Sequence, residues 1–173
     1  MPGGTRLLIA TGAAAASLDE LPPLVRAVVA GASDVLVMTP VLTSALQWIA
    51  SDTDRARYEA DERLGAVLGQ VEELAPGAAA RAQVGDETPM TAFADAIRQF
   101  RPDHIVIALR SDDHSAWQER GLIDGIRTNF HIPITVFELD HAGQVPPGRH
   151  LTAAAGPAGR RPPANLLGAT RRS

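Results

Sequence analysis

The chain of 173 residues contains no cysteine and no lysine, and all 16 of its basic residues are arginine. Without cysteine it can form no disulfide, thiol nucleophile or thiolate metal site. Without lysine it has no P-loop lysine, no lysine general base and no Schiff base, which also removes pyridoxal phosphate chemistry. Aromatics make up only 4%, so the core must be built from Ala, Val, Leu and Ile. That composition suits a sheet covered by helices better than an aromatic-rich sandwich. No apolar run reaches the roughly 18 residues of a membrane helix, and no basic stretch with an apolar signal core opens the chain. A soluble, cytoplasmic protein with no membrane partner is expected.

Charge is unevenly spread. Five of the arginines and none of the 20 acids fall in residues 142–173, so residues 1–141 carry −9 and the remainder +5. An acidic body is a poor match for a nucleic-acid backbone, and no nucleic-acid partner is expected. The last 32 residues hold five Pro, five Gly and five Arg with no sustained apolar stripe. They read as a disordered basic tail behind one domain of residues 1–141.

Within that domain apolar runs alternate with amphipathic stripes. Residues 6–11 (RLLIAT) and 34–38 (DVLVM) read as buried strands; Leu21, Leu24, Val25, Val28 and Val29 between them trace a helix with Pro22 and Pro23 in its first turn. Leu64, Val67, Leu68, Val71 and Leu74 mark a long helix stopped by Pro76-Gly77; the segment 41–58 before it has no clear packing assignment. A weaker strand over 79–84 is followed by a helix with Thr88 as N-cap and Pro89 at its first position, its apolar face formed by Met90, Phe93, Ala94, Ile97 and Phe100. The run 104–109 (HIVIAL) is the clearest buried strand. Trp117, Leu122, Ile123, Ile126 and Phe130 then trace a last helix before a fifth strand at 134–139 (ITVFEL). Alternation without hairpin signals implies a parallel sheet with right-handed crossovers, an α/β three-layer fold.

Three passages give this pattern a family resemblance. Gly85-Asp86, then a helix, then PDHIVIAL resembles a recurring passage of the universal stress protein family. FHIPITVFEL resembles that family's final strand, and SAWQERGLIDGIRTNFHIPITV resembles a divergent actinobacterial branch of it. The resemblance covers roughly residues 5–140. It implies a Rossmann-like, five-stranded parallel sheet of order 3-2-1-4-5, frequent dimerisation, and mostly non-catalytic roles in stress adaptation.

Departures from the family bear on its ATP site. ATP-binding members carry an acidic residue after the first strand, whereas Ala10-Thr11-Gly12-Ala13 stands here with no carboxylate before Asp19. Their spaced glycines after the fourth strand are replaced by LRSDDHSAWQERGLIDG, with no Gly before Gly121. Asp112 and Asp113 put negative charge where a phosphate tail would sit. Family-style ATP binding is therefore disfavoured, and no cofactor is expected.

In a sheet of this order the crevice lies outside the carboxyl ends of strands one and four. That places Thr11, Gly12, Arg110, Ser111 and Asp112 around one opening, with Met38, Thr39 and Gly85 nearby. Arg110 suits an anionic group, and the Thr11 and Ser111 hydroxyls could orient a small ligand. Ordinary strand-to-helix turns with caps explain the same residues more readily. Asp112, Asp113 and His114 are better explained by helix capping than by a metal, and Ser115 beside His114 makes no nucleophile and base because neighbours along the chain seldom face each other. His104 and His131 read as structural, and Trp117 reads as a core anchor of the last helix in preference to a lid over the crevice. No catalytic residue and no metal ligand is assigned.

The expected function is a non-catalytic, universal stress protein-like domain acting through dimerisation and through a protein partner or weakly bound small ligand. The alternative is a nucleotide-binding switch or nucleotide-handling hydrolase with a non-standard phosphate site. The strand at 134–139 would lie at a sheet edge and carry a homodimer, unless the tail folds over it.

Overall fold

The computed structural model describes residues 4–39, 53–85, 88–111, 121–147 and 152–154. Strand β1 (Thr5–Thr11) leads through a short 3-10 turn (Leu18–Glu20) into α1 (Pro23–Ala30) and β2 (Ala32–Thr39). There follow α2 (Thr53–Leu74), β3 (Ala79–Val84), α3 (Pro89–Phe100), β4 (His104–Arg110), α4 (Leu122–Phe130), β5 (Ile134–Leu139) and a three-residue β6 (Thr152–Ala154).

The five long strands are all parallel and lie in the order β3-β2-β1-β4-β5, a Rossmann-like arrangement. The chain winds outward from β1 in one direction through β3, then returns to lay β4 on the other side of β1. The switch point therefore falls between β1 and β4. Two-residue periodicity divides the strand side chains between two cores. Leu7, Ile9, Val35, Val37, Val106, Ala108, Phe137 and Leu139 pack against Val25 and Val29 of α1 and Leu64, Val67 and Val71 of α2. Leu8, Ala10, Leu36, Met38, Ile105, Ile107 and Leu109 pack against Phe93, Ala96, Ile97 and Phe100 of α3 and Leu122 and Ile126 of α4. Strands covered on both faces read as continuous apolar runs, which is why RLLIAT and HIVIAL stand out in the sequence.

Among the described residues the helices follow their stripes with one exception. Leu24 is 43% exposed. The buried face of α1 is centred on Val25 and Val29; Leu24 sits about 100° round the helix from Val25 and falls on its rim. Pro89 occupies the first turn of α3 as expected, but Thr88 at the N-cap makes no capping hydrogen bond with its side chain. Arg101 and His131 close α3 and α4 in the left-handed conformation.

Thr152–Ala154, within the segment expected to be disordered, pairs antiparallel with β5: Ile134 opposite Ala154, Thr135 opposite Ala153 and Val136 opposite Thr152. β5 is consequently not the outermost strand of the sheet, which extends to β6. Three residues of which two are alanine carry no readable periodicity; a neighbouring strand is what gives them a conformation.

At the amino end of the sheet the buried Phe100 ring carries two guanidinium groups, with Cζ of Arg6 4.7 Å and that of Arg81 5.1 Å from its centroid. Arg6 also lies 3.7 Å from the Asp34 carboxylate. Among the described residues no helix is long and apolar enough to cross a membrane.

Candidate functional site

The strand ends around the switch point are closed off by their own backbone. The Gly12 amide donates to Ala108 O at 2.8 Å, extending the β1–β4 ladder by a step. The Gly85 amide does the same for β2–β3, donating to Thr39 O at 2.8 Å, and the Ser111 amide for β4–β5, donating to Leu139 O at 2.8 Å. Each is the first residue past its strand. An anion held by backbone amides needs N–H groups aimed outward, and these three are committed to the sheet.

The two buried threonines are likewise used locally. The Thr11 hydroxyl donates to Ala13 O and accepts from the Ala13 amide at 3.2 Å, a turn that bends the chain away from β1. The Thr39 hydroxyl donates to Thr11 O at 2.7 Å and so bridges the ends of β2 and β1. It accepts at 3.4 Å from Nη1 of Arg63, a part-buried guanidinium on α2. Arg63 was not singled out from the sequence. Its only signal is position: a cation on the long acidic helix, next to Leu64 of the buried stripe.

The remaining sequence-selected residues take different places. Met38 is fully buried in the α3–α4 core, and a Cβ built on Gly85 would stand 2.9 Å from Ala92 Cβ and 3.4 Å from Met38 Sδ. These two positions bring α3 close to β2. Arg110 and Ser111 are half-buried at the end of β4. Thr11, Gly12, Thr39, Arg110 and Ser111 do share the carboxyl edge of the sheet, with Thr11 beside Ala108 in register. Asp112 lies outside the described residues, as do Asp113, His114, Ser115, Trp117 and most of the segment 41–58.

The loop after β1 lies against the α1–α2 core and is fastened from both sides. Gln70 of α2 donates through Nε2 to Ala15 O at 2.7 Å, and the Ala16 amide donates to Gly143 O at 2.9 Å. Gly143 belongs to a turn after β5 in which the Asp140 carboxylate accepts the amides of Ala142 at 2.8 Å and Gln144 at 3.0 Å. Ala13 and Ala15 face inward, buried. Beneath the loop is an apolar space of about 30 Å³, bordered by Ile9, Val25, Val71 and Phe137 with Thr11 and Gln70 as its polar rim. A water needs roughly 10–15 Å³ of such space, so the space suits a water or two rather than a nucleotide.

Among the described residues two titratable groups depart from their usual behaviour, and neither stands at the carboxyl ends of the strands. His104, at the amino end of β4, has its pKa lowered by burial, and its Nε2 lies 2.9 Å from the Thr135 hydroxyl. Tyr58, exposed on α2, has its pKa raised because its hydroxyl donates to the Glu62 carboxylate at 3.0 Å and the carboxylate's charge opposes ionisation. Among the described residues no group of three His, Asp or Glu side chains is placed to hold a metal ion.

No family model matches this chain, and no curated protein matches it. Among solved structures, a hypothetical protein, PH0823, superposes with a TM-score of 0.48 at 11% sequence identity, covering 82% of this chain and 98% of that one.

Proposed function

We propose that the chain is a non-catalytic binding domain of universal stress protein type, and that it takes a small anionic ligand at the carboxyl edge of the sheet without that family's phosphate-binding glycines. The observation that carries this reading is the Thr11–Thr39–Arg63 chain across the ends of β1 and β2, next to the switch point, where a part-buried guanidinium reaches the Thr39 hydroxyl at 3.4 Å. A cation in such a setting is less screened than one in bulk water and attracts a carboxylate or phosphate more strongly. Arg110, at the end of the adjacent β4, supplies a second positive charge on the same edge. The committed amides of Gly12, Gly85 and Ser111 argue that recognition runs through side chains rather than a backbone cradle. Dimerisation through β5 belongs to the same reading, with the condition that β6 be lifted from Ile134–Val136.

Titration calorimetry with inorganic phosphate, ADP and ATP, each with and without magnesium, tests the ligand. Weak binding is expected, reduced at least fivefold by Arg63→Ala and by Arg110→Ala. Silence towards all three probes at millimolar concentration would refute the anion site. Micromolar ATP binding that survives both substitutions would favour a nucleotide switch, and multiple-turnover ATP hydrolysis would favour an enzyme.

A further inference from the structure

The two flanks of the parallel sheet differ in kind. β3 has exposed and half-exposed residues throughout, including Arg81 on its exposed surface, as an edge strand protected against pairing should. β5 is buried at five of its six positions, with only Glu138 partly exposed, and its sequence Ile-Thr-Val-Phe-Glu-Leu is dominated by strand-forming residues. What lies outside it is β6, three residues of which two are alanine, a type depleted in strands. At about 3.4 Å per residue β6 covers roughly 10 Å of an edge about twice that long. Among the described residues, a strong strand is thus covered over half its length by a weak one.

We infer that β6 is a displaceable cover that keeps the chain monomeric, and that its release opens β5 to the β5 of a second copy. A second copy is the fitting occupant for three reasons. The edge already accepts an antiparallel strand along Ile134–Val136. Antiparallel pairing of β5 with itself is two-fold and closed, so it yields a dimer and not a fibre. The pairing also offers all six residues of a strand rich in β-formers in place of three residues of a poor one. The two states exclude each other, because the outward N–H and C=O groups of residues 134–136 serve one antiparallel neighbour at a time. Twelve residues separate Leu139 from Thr152, so β6 acts at the millimolar effective concentration of a short tether and holds the edge at micromolar protein. Attraction between the +5 tail and the −9 body adds to its hold. This inference rests on the dimer reading above and is independent of the ligand.

Two full-length variants test it by mass in solution. In Thr152→Pro/Ala153→Pro one of the adjacent prolines removes whichever amide faces β5. In Val136→Cys/Thr152→Cys a disulfide between opposed residues locks β6 in place, and the chain has no other cysteine to interfere. At 50 µM the proline variant should sediment at about twice the 18.2 kDa monomer mass, and the oxidised lock at the monomer mass at every concentration. Monomers of both variants up to 500 µM would overturn the dimer and the cover together. A dimer of the oxidised lock as strong as that of the proline variant would overturn the cover and leave the dimer standing. Should the prolines unfold the domain by circular dichroism, oxidised and reduced lock are compared at 500 µM, where equal masses overturn the inference.

Discussion

Replacing Gly143 by alanine separates two costs that the structure assigns to that position. Gly143 has φ +74, and a Cβ there would meet the Ala16 nitrogen at 2.6 Å and Ala14 O at 2.7 Å. Both are backbone atoms of the loop after β1, so neither can swing aside as a side-chain end would. The left-handed conformation costs an L-residue about 1–2 kcal/mol. Moving the loop to relieve the contact also breaks the 2.9 Å hydrogen bond from the Ala16 amide to Gly143 O, about 1 kcal/mol net. The sum is roughly 2–3 kcal/mol, or a fall of about 5–10 °C in Tm for a domain of this size. Gly121→Ala provides the comparison, since Gly121 has φ +61 and nothing within 4 Å of its Cβ position; it should lose only the conformational part. Gly77→Ala, with open space and no positive φ, should stay within about 0.5 kcal/mol of the parent. Urea melts of the three variants followed by circular dichroism give the ordering. Equal losses at Gly143 and Gly121 would refute the close approach of the two loops.

Two further outcomes follow from single sites. Phe100→Ala should cost about 3–5 kcal/mol as a fully buried aromatic. Part of this is cation–π attraction, so a double-mutant cycle between Phe100→Leu and Arg6→Ala should return a coupling of about 0.5–1 kcal/mol; a coupling of zero by urea denaturation would remove the ring–guanidinium contact from the account. His104 has its pKa lowered by burial, so the unfolded chain takes up the proton first as pH falls. The stability conferred by the neutral ring is complete above the ordinary histidine value near 6.5 and declines below it towards the lowered folded value. His104→Gln should therefore flatten the fall in urea midpoint between pH 7.5 and pH 5, and an unchanged slope would show that other groups cause it.

What the residues fix locally can be read directly. Gly12, Gly85 and Ser111 were marked as strand-end positions, and they are, because an apolar run flanked by Gly or a polar turn ends where its ladder ends. What each strand-end group does could not be read in the same way. The amides of these three residues turn back into neighbouring strands, and Thr11 and Thr39 bond inward to the chain. Apart from Ala13, the local partner of Thr11, their partners Ala108, Thr39, Leu139 and Thr11 O are set by register between strands distant in sequence. Arg63 and Gln70 were missed for the same reason, since each meets the loop or strand it touches only across 24 or 55 residues of chain.

The sequence by itself determined the α/β class, the five parallel strands with their boundaries close to the observed ones, and the helix faces. Those follow from side-chain periodicity, which is local and repeats along each element. Tertiary structure alone decided that Thr152–Ala154 forms a strand, that β5 is covered on its outer side, and that the loop after β1 is held between Gln70 and Gly143. Each of these depends on one or a few long-range hydrogen bonds. Such bonds add little free energy apiece and leave no periodic trace in the residues that make them.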